Sequence, residues 1–136
     1  MLYLDSNVFI YAAVNTQALG ENARSLLQKI QLGEEKAETS ALTFDEVFWA
    51  MKKHSQEAAV EVCQALLDFP NLEIVPVDRE LVQQALRLIE EHYLAPRDAI
   101  HAATAVADKA DIIVSADAHF DKLKEPKRRS LETLIL

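Results

Sequence analysis

Short apolar runs alternate with longer segments of helical periodicity along the chain. The short runs predict strands at residues 1–4, 38–40, 72–75, 111–115 and 131–136. The segments in which apolar residues recur at helical spacing predict helices at residues 7–14, 21–32, 42–53, 56–69, 79–93 and 96–109. Ile112-Ile113-Val114 is typical of a buried parallel strand. This alternation predicts an α/β fold: a three-layer α/β/α sandwich with a small, mainly parallel central sheet.

The composition favours one domain over residues 1–136. Half of the 136 residues are apolar and only two are glycine, which suits a real core and leaves little room for linkers. Cys63 lies among apolar residues of a predicted helix, so we expect a packed thiol in a reducing compartment. The first residues do not resemble a signal peptide, and no apolar run approaches the roughly 20 residues that span a bilayer. These features favour a cytoplasmic protein with no membrane partner.

The net charge of −8 at pH 7 is unfavourable for binding nucleic acids, because phosphate contacts require cations. A bound divalent ion would offset part of this charge. The chain also contains one basic segment, formed by Lys122, Lys124, Lys127, Arg128 and Arg129. Two interpretations of this segment stay open. It is a solvated surface turn, or it contacts an RNA backbone together with Arg97.

Four acidic residues, Asp5, Glu46, Asp98 and Asp117, lie where a predicted strand ends or a predicted helix begins. In an open α/β sheet these ends gather at one edge. Clustered carboxylates raise one another's pKa, so the cluster requires a cation. Oxygen ligands select hard ions such as Mg²⁺ or Mn²⁺. With neither thiolates nor imidazoles in the pattern, the four acids predict a divalent-metal site for phosphodiester chemistry.

Each acid also has a purely structural interpretation. Asp5 and Asp117 fit helix N-caps, for which aspartate is a preferred residue. Glu46 completes a capping box with Thr43. Asp98 lies in the first turn of a helix, where the helix dipole stabilises an anion. Capping, however, does not require the four acids to share one edge of one sheet.

The sequence segments around these acids resemble those of PIN-domain proteins, in particular the small toxins of VapBC-type toxin–antitoxin pairs. The resemblance rests on the segments Leu4-Asp5-Ser6-Asn7-Val8, Asp45-Glu46-Val47, Asp98-Ala99-Ile100-His101-Ala102-Ala103-Thr104-Ala105 and Ser115-Ala116-Asp117-Ala118-His119-Phe120-Asp121. It covers nearly the whole chain. The third segment followed by the fourth is its most specific part, and the second segment is loose.

The resemblance implies a set of functional residues. Asp5, Glu46, Asp98 and Asp117 match the catalytic, metal-binding acids, and Asp121 matches a further acid of that site. Ser6 and Ser115 match small polar positions beside the ligands. The family also implies one or two Mg²⁺ or Mn²⁺ ions, ribonuclease activity, homodimers, and an antitoxin that fills the active-site groove.

The resulting hypothesis is cleavage of an RNA phosphodiester by an activated water, oriented by Asp98 or Asp117. Asp45, beside Glu46, competes with it for a ligand role. His101 fits a packed or solvated histidine better than a catalytic base. Three aromatic residues on one predicted helix fit core or dimer packing better than base stacking: Phe44, Phe48 and Trp49.

Two alternatives to a nuclease stay open. The first is a catalytically inactive PIN-like interaction module that binds metal or RNA without cleavage. The second is an aspartate-dependent phosphohydrolase, which is weaker because Asp5 is followed by Ser6-Asn7 and not by a second acid two residues on. A nucleotide-binding protein is weaker still, since the chain has neither of the glycine-rich phosphate loops.

Overall fold

The computed structural model describes residues 1–133, which form a five-stranded sheet with all neighbouring strands parallel. The strands are β1 (Leu2–Leu4), β2 (Ala37–Ser40), β3 (Leu72–Val75), β4 (Ile112–Ser115) and β5 (Lys127–Ser130). Their order across the sheet is β3-β2-β1-β4-β5. The chain thus builds one half of the sheet outward from β1 and then returns to build the other half, so the strand order reverses beside β1.

Six α-helices flank the sheet within the described residues. They are α1 (Ser6–Val14), α2 (Ala18–Gln31), α3 (Leu42–Lys52), α4 (Gln56–Leu67), α5 (Arg79–His92) and α6 (Pro96–Ala107), and a 3₁₀ helix at Ala118–Lys122 follows β4. Side-chain caps begin three of these α-helices, since Asp5 accepts from the backbone of α1, Ser55 from that of α4 and Asp78 from that of α5. None of the helices in this part of the chain has the length and apolar character needed to cross a membrane.

Successive residues of the central strands face opposite layers. Leu4 and Val114 belong to an apolar core with residues of α1 to α4, which also buries the Cys63 thiol as predicted. Tyr3 and Ile113 belong to a second core with α5 and α6. The α/β/α architecture with a small parallel sheet is therefore confirmed.

The C-terminal strand lies earlier in the chain than predicted. Residues 127–130 form β5, residues 131–133 do not form a strand, and residues 134–136 lie outside the described part. The surface-turn interpretation of the basic segment is therefore wrong for Lys127, Arg128 and Arg129. An edge strand needs only one partner and tolerates charge. Arg128 is half-buried between exposed neighbours, while Leu131, just beyond the strand, is fully buried.

The connection between α1 and α2 is built around Asn15 and Gly20. The Asn15 side chain accepts hydrogen bonds from the backbone N–H groups of Gln17 (2.9 Å) and Gly20 (3.0 Å). A Cβ atom at position 20 would lie 1.9 Å from the Asn15 carbonyl oxygen. This turn lets α2 begin at Ala18, three residues before the predicted start at 21.

One carboxyl group is buried on the α5–α6 side of the sheet, away from the strand ends. Glu38 pairs with Tyr3 in the sheet register and is fully buried. Neither of its carboxylate oxygens has a hydrogen-bond partner among the described residues. Burial, followed by the neighbouring carboxyls of Asp108 and Glu73, raises the pKa of Glu38 to about 9. Glu38 is therefore an uncharged acid at neutral pH.

Candidate metal centre

The four predicted acids approach the carboxyl ends of the two central strands. Asp5 directly follows β1 and Asp117 follows β4, and these strands are neighbours. Glu46 lies in α3, which follows β2, and Asp98 lies in the first turn of α6. The position beside β1, where the strand order reverses, is where open α/β sheets bind ligands.

Asp5 is held in one orientation by three polar neighbours. The Ser115 hydroxyl donates to its Oδ2 at 2.7 Å, and the Asn7 amide donates to the same oxygen at 3.1 Å. The Ser6 backbone N–H donates to Oδ1 at 2.8 Å, so Asp5 is also the N-cap of α1. Burial raises the pKa of Asp5, although the nearby His101 and these hydrogen bonds oppose the rise.

A first cluster consists of Asp5, Glu46 and His101. His101 is fully buried, and its Nε2 contacts Glu46 Oε1 and lies 3.5 Å from Asp5 Oδ1. Burial alone would lower the pKa of His101, but the hydrogen bond to Glu46 and the charge of Asp5 outweigh it and raise the pKa. His101 is thus the packed histidine that the sequence favoured, and it lies inside the site.

A second cluster consists of Asp98, Asp117 and His119. His119 Nδ1 lies 3.0 Å from Asp117 Oδ1 and 3.4 Å from Asp98 Oδ2. Burial and the charges of Asp117 and then Asp5 raise the pKa of Asp98, which shows that the two clusters share one electrostatic environment. The His119 side chain is 65% exposed, so this imidazole faces solvent, in contrast to that of His101.

The expectation that imidazoles are absent from the site was wrong. His101 lies three residues after Asp98 on the same helix, and His119 lies two residues after Asp117. These short spacings were the available signals. Asn7 was also missed as a contact residue. Besides Asp5, its amide contacts the Ser115 hydroxyl at 3.1 Å and accepts from the Ala116 N–H at 3.3 Å.

The capping-box interpretation of Glu46 is wrong. The residue at the start of α3 is Ala41, which has no capping side chain, and the Ser40 hydroxyl accepts from the Leu42 N–H at 3.1 Å. Thr43 is fully buried, and its hydroxyl bonds the Thr39 hydroxyl of β2 at 2.6 Å. Glu46 is therefore available to His101. Its neighbour Asp45 belongs to neither cluster within the described residues.

Asp121 is occupied by an ion pair. Its two carboxylate oxygens accept from Arg128 at 2.9 and 3.0 Å, and this pairing lowers the pKa of Asp121. Arg128 also donates to the Ser115 carbonyl at 3.1 Å. Asp121 belongs to neither cluster within residues 1–133, so a ligand role for it would require this pair to open.

The other predicted RNA-contact residues are all exposed to solvent: Arg97, Lys122, Lys124, Lys127 and Arg129. Of the three aromatic residues, Trp49 is 61% exposed and Phe44 47% exposed, so the core interpretation is wrong for both. Phe48 is partly buried against the α1–α4 core. Lys52 Nζ lies 5.2 Å from the Trp49 ring centroid.

The donor atoms of the two clusters fit a divalent ion. Each cluster supplies two carboxylate oxygens and directs an imidazole nitrogen towards them, with the candidate ligand atoms within 4.8 Å of one another. Carboxylates suit Mg²⁺ and Mn²⁺, and imidazole nitrogen favours the later first-row metals. The raised pKa values of Asp5 and Asp98 also favour a bound cation, because its charge would offset the cost of burying these carboxylates.

Comparison with known proteins identifies the fold. The family model for the PIN domain matches residues 2–126. No curated protein shows a significant sequence match to the chain. A chain of VapBC2 from Rickettsia felis, bound to a DNA fragment from its promoter, matches with a TM-score of 0.73 and 18% identity, over 96% of this chain and 98% of that one. VapC20 from Mycobacterium tuberculosis, described as a sarcin-ricin loop cleaving toxin, matches with a TM-score of 0.72 and 15% identity, over 87% and 91%.

A chain of FitAcB from Neisseria gonorrhoeae matches with a TM-score of 0.72 and 19% identity, over 98% of this chain and 100% of that one. At such identities the structural similarity shows the fold alone. The family model, in contrast, covers most of the sequence and includes all four predicted acids. The chain therefore belongs to the PIN domain family.

Proposed function

We propose that this protein is a divalent-metal-dependent ribonuclease and the toxin component of a toxin–antitoxin pair. The observation that carries the proposal is the pair of carboxylate–imidazole clusters at the reversal of strand order in a PIN-domain sheet. The similarity to VapC20, the sarcin-ricin loop cleaving toxin, supports RNA as the substrate class.

In this proposal Asp5, Glu46, Asp98 and Asp117 hold one or two Mg²⁺ or Mn²⁺ ions. A bound ion would act as a Lewis acid and would lower the pKa of a coordinated water molecule towards neutral pH. Ser115 keeps Asp5 oriented from one side, and the helix start of α6 fixes Asp98. Asp98 and Asp117 are more exposed than Asp5, so a phosphate group entering from solvent meets them first.

RNA binding must overcome the net charge of −8. The exposed basic residues on α6, the 3₁₀ helix and β5 are the proposed contacts with the RNA backbone: Arg97, Lys122, Lys124, Lys127 and Arg129. Arg128 is paired with Asp121, so we expect it to contribute less. Because this binding rests on contacts between cations and phosphates, we expect it to weaken as salt increases, with a shallow slope since few phosphates are contacted.

The test is cleavage of a mixed RNA pool by the purified protein with Mg²⁺, Mn²⁺ or EDTA. Variants with Asn at position 5, 98 or 117 should lose activity, because each substitution removes a ligand charge but keeps the shape. Asp45→Asn is the matched control, since Asp45 adjoins Glu46 and belongs to neither cluster. Asp121→Asn tests whether the fifth predicted acid takes part.

The result that supports the proposal is metal-dependent cleavage that the ligand variants lose and Asp45→Asn keeps. Absence of cleavage in any metal, by folded protein free of a copurified inhibitor, would contradict the nuclease. Metal binding without cleavage would instead support the inactive interaction module.

We infer further that the partner is an antitoxin protein, because similar structures include a toxin–antitoxin complex from Klebsiella pneumoniae. An open apolar cleft of about 190 Å³ between α1, α2 and α4, around Phe9, Leu27 and Phe69, is an available contact surface. Leu27→Asp should weaken inhibition of cleavage by an antitoxin and leave cleavage itself unchanged. Unimpaired inhibition of this variant would exclude the cleft.

We also propose a homodimer, in which the exposed Trp49 and Phe44 of α3 become buried. Light scattering on a size-exclusion column should give twice the chain mass for the wild type and a smaller mass for Trp49→Glu. A monomeric wild type at high concentration would contradict this part of the proposal.

A further inference from the structure

A chain of hydrogen bonds runs from the sheet to the Glu46 carboxylate through two fully buried side chains. The Ser40 backbone N–H donates to the Tyr3 hydroxyl oxygen at 3.1 Å. The Tyr3 hydroxyl lies 2.6 Å from His101 Nδ1, and His101 Nε2 contacts Glu46 Oε1. Tyr3 and His101 are both 0% exposed. The chain thus connects β2, β1, α6 and α3 in turn.

The direction of these bonds follows from counting donors and acceptors. A backbone N–H only donates, so the Tyr3 oxygen accepts from Ser40. The Tyr3 O–H then needs an acceptor of its own, because a buried hydroxyl without one is costly. His101 Nδ1, at 2.6 Å, makes the shorter of the two hydrogen bonds that this hydroxyl forms with Ser40 and His101. In the neutral imidazole, Nδ1 is therefore the acceptor and Nε2 carries the proton.

Tyr3 is a reliable donor in this chain. A tyrosine hydroxyl ordinarily has a pKa of about 10 and burial disfavours its charged form, so the buried Tyr3 keeps its proton at neutral pH. The Tyr3 and His101 rings also pack edge to face, with centroids 5.8 Å apart. Packing and hydrogen bonding together fix the orientation of the imidazole.

An imidazole with its proton on Nε2 presents an N–H, and not a lone pair, to Asp5 and Glu46. We propose that Tyr3 and His101 are positioning residues that hold Glu46 in place for metal binding, and that His101 is a hydrogen-bond donor and not a ligand. The inference rests on the proposed metal-binding role of Glu46. The bond engages Oε1 and leaves the second carboxylate oxygen for an ion.

Glu46 depends on such support because its side chain is partly exposed, and within residues 1–133 its carboxylate has no hydrogen-bond partner other than His101. Hydrogen-bonded partners behind a ligand commonly change metal affinity by about 10- to 100-fold when they are removed.

The first experiment measures the His101 tautomer in the Mg²⁺-loaded wild type by ¹⁵N NMR. We expect the Nε2 resonance of a protonated nitrogen and the Nδ1 resonance of an unprotonated acceptor. A proton on Nδ1 with Nε2 unprotonated would indicate a metal ligand and overturn the inference. Protons on both nitrogens would overturn the proposed direction of the chain.

The second experiment measures Mn²⁺ affinity by calorimetry, without RNA. Tyr3→Phe should bind Mn²⁺ about tenfold more weakly, and His101→Leu at least as weakly. His101→Gln should bind Mn²⁺ with an affinity close to that of the wild type, because its amide can still donate to Glu46. If His101 were instead a metal ligand, His101→Gln and His101→Leu would both bind Mn²⁺ more weakly. Tyr93→Phe is the matched control, since Tyr93 is 82% exposed.

The two experiments separate this inference from the proposed function. A wild type that binds no divalent ion contradicts the metal-dependent nuclease. A wild type that binds Mn²⁺, with Tyr3→Phe binding equally well, contradicts only the positioning role. Circular dichroism of each variant establishes that a loss of affinity is not a loss of fold.

Discussion

Replacing Glu38 by glutamine should stabilise the protein in mildly alkaline solution and have little effect in mildly acidic solution. Glu38 is fully buried without a hydrogen-bond partner in the described residues, and its pKa is raised from 4.5 to about 9. Between these two values the folded state binds a proton that the unfolded state releases. The stability associated with this proton is complete below about pH 4.5 and is lost as the pH rises to about 9.

The size of the effect follows from the same linkage. One proton bound only in the folded state changes the free energy of unfolding by about 1.4 kcal/mol per pH unit. Between pH 5 and pH 8 the wild type should therefore lose about 4 kcal/mol that Glu38→Gln keeps. This is a large part of the roughly 5–15 kcal/mol that stabilises a typical domain.

The assay is urea unfolding of wild type and Glu38→Gln at pH 5, 6.5 and 8, with metal removed by EDTA. The difference in unfolding free energy should grow with pH in favour of the variant. Glu61→Gln, on the exposed face of α4, is the control and should show no such trend. A difference that is independent of pH, or one that grows in favour of the wild type, would refute the reasoning.

Three further predictions concern the turn before α2 and the site. Gly20→Ala should lower the free energy of unfolding, measured in urea, by about 1–3 kcal/mol, because its Cβ would overlap the Asn15 carbonyl. Gly33→Ala, at φ +81°, should cost only about 1 kcal/mol, and equal effects of the two substitutions would contradict this explanation. In EDTA, Asp98→Asn should melt at a higher temperature than the wild type, because the raised pKa of Asp98 shows that its charge is unfavourable in the folded protein, and the variant should lose the stabilisation by Mg²⁺. A lower melting temperature in EDTA would contradict the repulsion between the clustered carboxylates. Asn7→Ala should bind Mn²⁺ about tenfold more weakly in calorimetry, since it loses the bonds that orient the site; wild-type affinity would remove it from the site.

The elements whose buried residues recur with a regular period could be located from the sequence. The apolar run in β4 and the amphipathic pattern of α5 reflect the faces that these elements bury, so both could be located within a residue or two. β5 could not be located in this way. It is an edge strand of Lys, Arg and Ser, and its charges resemble those of a solvated turn.

Within the site, local patterns and tertiary contacts competed. Thr43 and Glu46 have the spacing of a capping box, but the buried Thr39 attracts the Thr43 hydroxyl and His101 attracts Glu46. No local pattern contains either partner, because each comes from another part of the chain. The proximity of Tyr3 to His101, 98 positions away, likewise follows only from the fold.

The strand β1 and the residue after it place three neighbouring residues in three different environments. Tyr3 faces the α5–α6 core, Leu4 faces the α1–α4 core, and Asp5 enters the candidate metal centre. A shift of one residue in this strand would exchange all three environments at once. Deletions or insertions of one residue within positions 1–5 should therefore be far less tolerated than substitutions there, because the whole strand would change its faces.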